Sequence, residues 1–272
     1  MKFGVREICD VVLKAKADNQ KVGNTTFDKG QPVIYFDTLK TSSMEGAATT
    51  VYAQGGRGNS RLVAWEGERT VTFTMEDALI SPLGFMILSG AGLIEADTDN
   101  KITVHATEPV VCKEAGKLEL GEAPSSSSDA TIYAMKLDGN GEIEGKPTKI
   151  TGASGSTLTV TDAKVADVYL VDYYVDRKAN AQQIEITPDK FGGNYYLEAS
   201  TLFRNTDGVD MPAEFVIPNC KVQSNFTFTM ASSGDPSSFT FTLDAFPDYT
   251  KFDRTKKVLA AIQILEEAAK DD

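Results

Sequence analysis

The chain has 272 residues, 41% hydrophobic and 24% charged, which places it among ordinary globular proteins and excludes a wholly disordered polymer. A chain of this size buries roughly 75% of its unfolded surface, enough for one large β domain or two smaller ones. With 39 acidic against 27 basic side chains the formal net charge is -12, which argues against the Lys- and Arg-rich footprint that grips polyphosphates.

No stretch offers about 18 uninterrupted apolar residues, and MKFGVRE meets an acid before a signal-peptide run can form, so the expectation is no membrane insertion and assembly in a cytoplasm. Cys9, Cys112 and Cys220 are scattered and odd in number, which suits free thiols better than a disulfide framework or a zinc site.

In chain order, the first third reads as strands separated by loops. Val5 to Ala17 mixes apolar and charged residues without a helical stripe, and QPVIYFD, residues 31–37, reads as a β run entered through proline. Residues 38–60, TLKTSSMEGAATTVYAQGGRGNS, are small, polar and glycine-bearing, and predict a long loop of the kind that touches something. In ERTVTFTM, residues 68–75, Val71, Phe73 and Met75 alternate with Thr70, Thr72 and Thr74, as in a strand with one apolar and one hydroxyl face. Ser81 then supplies a cap and Pro82 a first helical residue, and Leu83, Phe85, Met86, Ile87 and Leu88 fill one short apolar helix that Gly90 ends.

From residue 105 to 180 the texture changes to turn-rich punctuation, SSSSDA, LDGNGEIEGK and TGASGSTLTV, around short runs such as TIYAM and VYLVDYYV. This spacing predicts a small immunoglobulin-like β-sandwich, in architecture only, since the region lacks a cysteine pair and a tryptophan. Strand texture of the first kind resumes with QIEI and YYLEA. In NFTFTMASSGDPSSFTFTLDAF, residues 225–246, Phe226, Phe228 and Met230 and then Phe239, Phe241 and Leu243 share an apolar face on either side of Gly234-Asp235-Pro236, which predicts a hairpin. The last segment, KVLAAIQILE, suits a helix by propensity and a strand by the alternation of Val258, Ala260, Ile262 and Ile264; the strand is favoured. Together these predict an all-β fold with a minor helix. One domain, split over residues 1–104 and 181–272, is a β-sandwich or half-barrel with a flanking short helix, and residues 105–180 form the inserted sandwich.

Candidate chemistry is sparse. His105 is the sole histidine, which removes most triad, acid–base and zinc arrangements, and it reads as a solvated side chain. Gly55-Gly56-Arg57-Gly58 lacks the Gly-Lys-Ser/Thr of a phosphate loop and reads as a turn. Asp97, Asp99 and Glu108 imitate the ends of a calcium loop, but Lys101 and Ile102 stand where an oxygen ligand and a glycine belong. Asp138-Gly-Asn-Gly-Glu142 is the best cation candidate and reads first as a tight hairpin turn. Glu76 and Asp77 point apart on a strand and, ahead of a helix, favour its N-terminal dipole. No catalytic, cofactor-binding or metal-binding residue is assigned, no cofactor is implied, and the expectation is a protein that is not an enzyme.

Four stretches, KGQPVIYFDTLK, VYAQGGRGNSRLVAW, FTMEDALISP and NFTFTMASSGDPSSFTFTLDAFPD, resemble bacteriophage tail tube proteins of the contractile type, over both flanks and in the same order. The resemblance implies a tail-tube-type subunit that assembles into stacked hexameric rings, forming a hollow conduit for genome ejection in the virion tail after assembly in the host cytoplasm. It implies as partners the chain itself, the tail sheath, tape measure, baseplate and tail terminator proteins, and DNA in transient passage without specific binding. In that setting the Thr-rich faces join neighbouring sheets and line the channel, and residues 38–60 are the candidate inter-ring contact. The alternatives are the tube of a contractile injection or secretion system, and an all-β adhesin or carbohydrate-binding module whose working part is the middle region.

Overall fold

The computed structural model describes residues 2–234 and 237–265. The first strands are β1 (Phe3–Val5), β2 (Asp10–Ala15), β3 (Gln20–Val22), β4 (Thr25–Phe27), β5 (Pro32–Phe36), β6 (Leu39–Gly55) and β7 (Ser60–Asp77), followed by helix α1 (Pro82–Ser89) and β8 (Gly92–Glu95). Next come β9 (Ile102–Val111), β10 (Lys117–Glu119), β11 (Ile132–Leu137), β12 (Thr148–Ile150), β13 (Ala153–Ser154), β14 (Thr157–Thr159) and β15 (Val168–Arg177). The last are β16 (Gln182–Glu185), β17 (Asn194–Asn205), β18 (Asp210–Val222), β19 (Phe239–Ala245) and β20 (Ala261–Ile264). The all-β expectation with one minor helix holds among the described residues. By contacts the chain forms two compact units, Met1–Leu93 with Ile184–Asp272, and Ile94–Gln183.

The first unit is built on an antiparallel sheet in the order β5-β2-β17-β18-β19-β7-β6, with β1 added on β17 and β20 on β18. Its two outermost strands, β5 and β6, are consecutive in the chain and separated only by Asp37 and Thr38. Three Cα steps span at most about 11 Å, whereas seven flat strands would set the edges about 29 Å apart, so the sheet must curl into an open half-barrel. The interior holds Val11, Leu13, Phe36, Phe73, Met75, Leu197, Ile217, Phe241 and Leu243, and α1 adds Met86, Ile87 and Leu88. Each large side chain so buried contributes roughly 1.5 to 3 kcal/mol.

The helix is bounded as its sequence predicts. The Ser81 hydroxyl accepts the Gly84 N–H at 3.0 Å, and Gly90, left-handed at φ 69°, donates its N–H to the Met86 carbonyl at 2.8 Å. A side chain at Gly90 would also meet the Phe191 backbone at 2.4 Å.

Two expectations are overturned. Residues 38–60 are no loop: β6 occupies Leu39–Gly55 and pairs along its length with β7, leaving a four-residue turn at 56–59. Conversely, Asn225–Met230 forms no strand despite its alternation. On the side away from β7, β18 pairs with β19 only at Leu243–Ala245, and after the Gln223 N–H reaches the Thr242 carbonyl the chain leaves the sheet. Its rings pack instead, Phe226 and Phe228 lying 4.9 and 5.3 Å from Phe85 of α1 and Phe228 4.8 Å from Phe239. Of the predicted turn, Asp235 and Pro236 lie outside the described residues. At the C-terminal end the strand reading holds for Ala261–Ile264, which pairs with β18 opposite Ala213–Val216; Glu266 lies outside the described residues.

In the second unit, a four-stranded sheet in the order β12-β11-β15-β9 and a three-stranded sheet in the order β10-β14-β13 contribute to one core. Strands β9 and β15 pair over ten residues, Ile102↔Arg177 to Val111↔Val168. Inward alternation of Tyr169, Val171, Tyr173 and Val175 on β15 meets Leu118 and Leu158 from the smaller sheet within that core.

Candidate assembly and conduit surfaces

The β6–β7 hairpin has two regimes. From Thr72 to Asp77, β7 pairs with β19 on one side and β6 on the other. Beyond Val71 only β6 pairs with it, so residues 60–70 and their partners leave the sheet as a two-stranded arm. At about 3.3 Å per residue the arm reaches roughly 33 Å. Every residue from Arg61 to Thr70 is exposed, on both faces.

Alternation and register sort the arm's side chains. Val51 opposes Trp65 and Ala53 opposes Val63, so these four form an apolar stripe on one face. Trp65, the sole tryptophan, is 55% exposed, and Val51, Leu62 and Val63 are exposed as well. On the other face Arg61 lies over the Tyr52 ring at 4.1 Å. Gly55-Gly56-Arg57-Gly58 is the tip, where Gly56, Gly58 and Asn59 all take positive φ (79°, 85° and 49°), which accounts for the glycines. A two-stranded hairpin is marginal in water, and an arm with an apolar stripe gains stability by being covered.

The base of the arm is pinned. The Thr38 hydroxyl donates to Asp77 at 2.5 Å, the Ala78 N–H to the Thr38 carbonyl at 3.1 Å, and, from beside β2, the Cys9 N–H to the Ser42 hydroxyl at 3.1 Å. Asp77 also accepts the Leu79 N–H at 3.3 Å, so this carboxylate serves the corner and the helix start is left to Ser81. Glu76 points to the opposite face, within reach of Thr41 and Ser238.

That opposite face is a second surface. With Phe73, Met75, Phe241 and Leu243 turned inward, register places Glu45, Thr72 and Asp244 in one row, Ser43, Thr74 and Thr242 in the next, and Thr41, Glu76 and Thr240 in a third. The patch carries six hydroxyls and three carboxylates, and on β18 the first row continues to the exposed Lys221 opposite Asp244. Thr72 bridges to Asp244 at 3.4 Å, and the Gln223 amide donates to the same carboxylate at 3.0 Å.

The remaining motif residues are structural in their contacts. The Asp97 carboxylate accepts the Asp99 and Asn100 N–H groups at 2.8 and 2.6 Å, and Asp138 accepts those of Asn140 and Glu142 at 2.8 and 2.9 Å; these backbone donors hold both carboxyls below their usual range. Glu108 is spent on Tyr173 and Gly121. His105 is exposed and lies 3.0 Å from Asp172. Among the described residues no group of His, Cys, Asp and Glu is arranged to hold a metal ion. All three cysteines are buried free thiols, and burial pushes Cys220 up to about 12, far from a reactive thiolate. Among the described residues no helix is long and apolar enough to cross a membrane.

Sequence reasoning missed Val51, Leu62, Val63 and Trp65. Their signal was present: apolar runs flanking a Gly-Gly-Arg-Gly-Asn turn are a hairpin signature.

No curated protein matches the chain. A family model described as the YomU/Tube protein family matches residues 4–259, nearly the whole length and both surfaces above. The chain therefore belongs to the YomU/Tube protein family and stands among the structural tube proteins of phage tails.

Proposed function

We propose that the chain is the repeating subunit of a contractile-type tail tube, assembling into hexameric rings that stack into a hollow conduit for genome ejection. The carrying observation is the β6–β7 arm: it extends well beyond its own core, and its Val51, Ala53, Val63 and Trp65 stripe needs a cover that a neighbouring subunit supplies. The free edges of β5 and β6 offer the same neighbours unpaired backbone groups. The hydroxyl and carboxylate rows of β6, β7 and β19 are assigned to the channel wall. A wall in which carboxylates outnumber the single neighbouring cation, Lys221, forms few counterion-releasing contacts with phosphates, so DNA slides past it. The inserted unit is read as a contact module added to the tube fold. Sheath, tape measure, baseplate and terminator proteins complete the tail, assembled in the host cytoplasm.

Negative-stain electron microscopy across a concentration series tests this directly. Wild-type protein is expected to form rings or hollow tubes, with the Trp65 emission shifting to the blue as they appear. Val51→Asp combined with Val63→Asp is expected to stay folded and dispersed. Tubes built by that variant would overturn the role given to the arm.

A further inference from the structure

The geometry points to a second, electrostatic contact between copies: a cationic cleft on the first unit that receives the acidic C-terminal segment, residues 266–272, of another copy of this chain. The inference rests on the tube reading above for its setting.

The cleft encloses about 670 Å³ and is lined by Lys14, Lys16, Lys29, Tyr196, Lys251 and Arg254, among others. Lys14 is paired with Glu198 and Lys16 with Asp248. Lys29, Lys251 and Arg254 form no ion pair among the described residues. Next to them the run KFDRTKK, residues 251–257, carries four cations and one acid, and the Tyr249 and Phe252 rings are exposed under Lys257 and Lys251. In a chain of net charge -12 this concentration of positive charge is the reverse of the average surface. It is suited to an anionic partner.

The occupant follows from charge and position. Copies that each carry -12 repel at long range, so their association needs local complementarity. Residues 266–272, EEAAKDD, hold four acids and one lysine. They follow Leu265, whose N–H donates to the Pro212 carbonyl at 2.9 Å, and Pro212 pairs with Leu202. Leu202 is six residues along β17 from Tyr196 at the cleft, a separation of about 20 Å. Strand β20 also runs away from the cleft, from Ala261 opposite Val216 to Ile264 opposite Ala213. Glu266 and Glu267 are one and two residues past Leu265, at most about 8 Å of chain, too little to span the distance to their own cleft, whereas that of a second copy can receive them. Leu265 and the cleft lie at opposite ends of one sheet, so such a contact is head-to-tail and repeats along a stack.

The test is a charge swap in the full chain, read by the lowest concentration at which tubes form. Lys251→Glu with Arg254→Glu, and separately Glu266→Lys with Glu267→Lys, are each expected to raise that concentration about tenfold, the effect of a few exposed ion pairs acting together. Joining the two pairs is expected to restore it to within about threefold of wild type. Unchanged assembly in the cleft variant, or a joined variant no better than its parents, overturns the inference. A readout independent of tubes is a labelled peptide of residues 260–272 titrated into dispersed protein. Binding that weakens with added salt and is lost in the cleft variant supports the contact even where no tube forms. An oligonucleotide that occupies the cleft while the peptide does not would overturn it in favour of a nucleic-acid site.

Discussion

The Phe36 ring stands edge-on to Phe241, 5.0 Å between centroids at 61°, although their strands are four places apart in the sheet. This contact exists only because the sheet curls, and both rings are buried, at 3% and 1% exposure. Phe36→Ala should destabilise the fold by about 3 to 5 kcal/mol in denaturant unfolding, with Phe241→Ala similar. A double-mutant cycle should find coupling of about 0.5 to 1.5 kcal/mol. Additive effects would mean that the curl does not depend on this pair.

The channel assignment predicts a gain of unwanted binding. Glu45→Lys, Glu76→Lys and Asp244→Lys together exchange three carboxylates for three cations on one patch, and should give assembled tubes a salt-sensitive affinity for DNA that wild-type tubes lack. Ejection from particles carrying these changes should slow. Unchanged DNA binding and ejection kinetics would place the patch elsewhere in the assembly.

Gly192 sits where a methyl group would lie 2.9 Å from the Ile87 carbonyl oxygen, 3.1 Å from that of Val222 and 3.3 Å from that of Leu88. Gly192→Ala should therefore cost about 1 to 3 kcal/mol by forcing backbone to move, visible as a lowered denaturant midpoint. Gly139→Ala, in open space, is the control.

Acid should weaken the second unit through Asp176. Lys101 at 2.7 Å, then the Ser125 and Thr103 hydroxyls, hold its carboxyl down to about 2. A folded pKa below the unfolded one stabilises above about pH 4, and that stabilisation is lost as pH falls towards 2. The loss should reach at most about 2 kcal/mol, and Asp176→Asn should flatten this part of the pH profile, as measured by unfolding at stepped pH.

Where local chemistry decides the structure, the sequence was enough. Ser81, Pro82 and Gly90 specify the helix without help from elsewhere, and the Thr/apolar alternation of residues 70–75 survives as the inner half of β7. Where partners decide it, the same cues misled. TLKTSSMEGAATT has little intrinsic strand preference, yet becomes a strand because β7 offers it a ladder. NFTFTM alternates fully but leaves the sheet after Gln223, and its phenylalanines pack on Phe85 of the helix and on Phe239. The arm's apolar stripe appears only once register sets Val51 across from Trp65. The cationic cleft gathers Lys14 and Lys251, far apart in sequence, which no local window can join.

One backbone, β7, passes from a strand held on both sides to a strand held on one. Amide hydrogen exchange in dispersed protein should follow that change, with protection through Thr72–Asp77 and rapid opening across Ser60–Thr70. Docking of the arm on a growing end would then freeze a segment that is loose in solution, with its ordering cost met at contact with an end that already exists. Two free subunits have no such prepared surface. Growth of this kind shows a lag that seeds abolish, and it keeps the subunit soluble until a template is present.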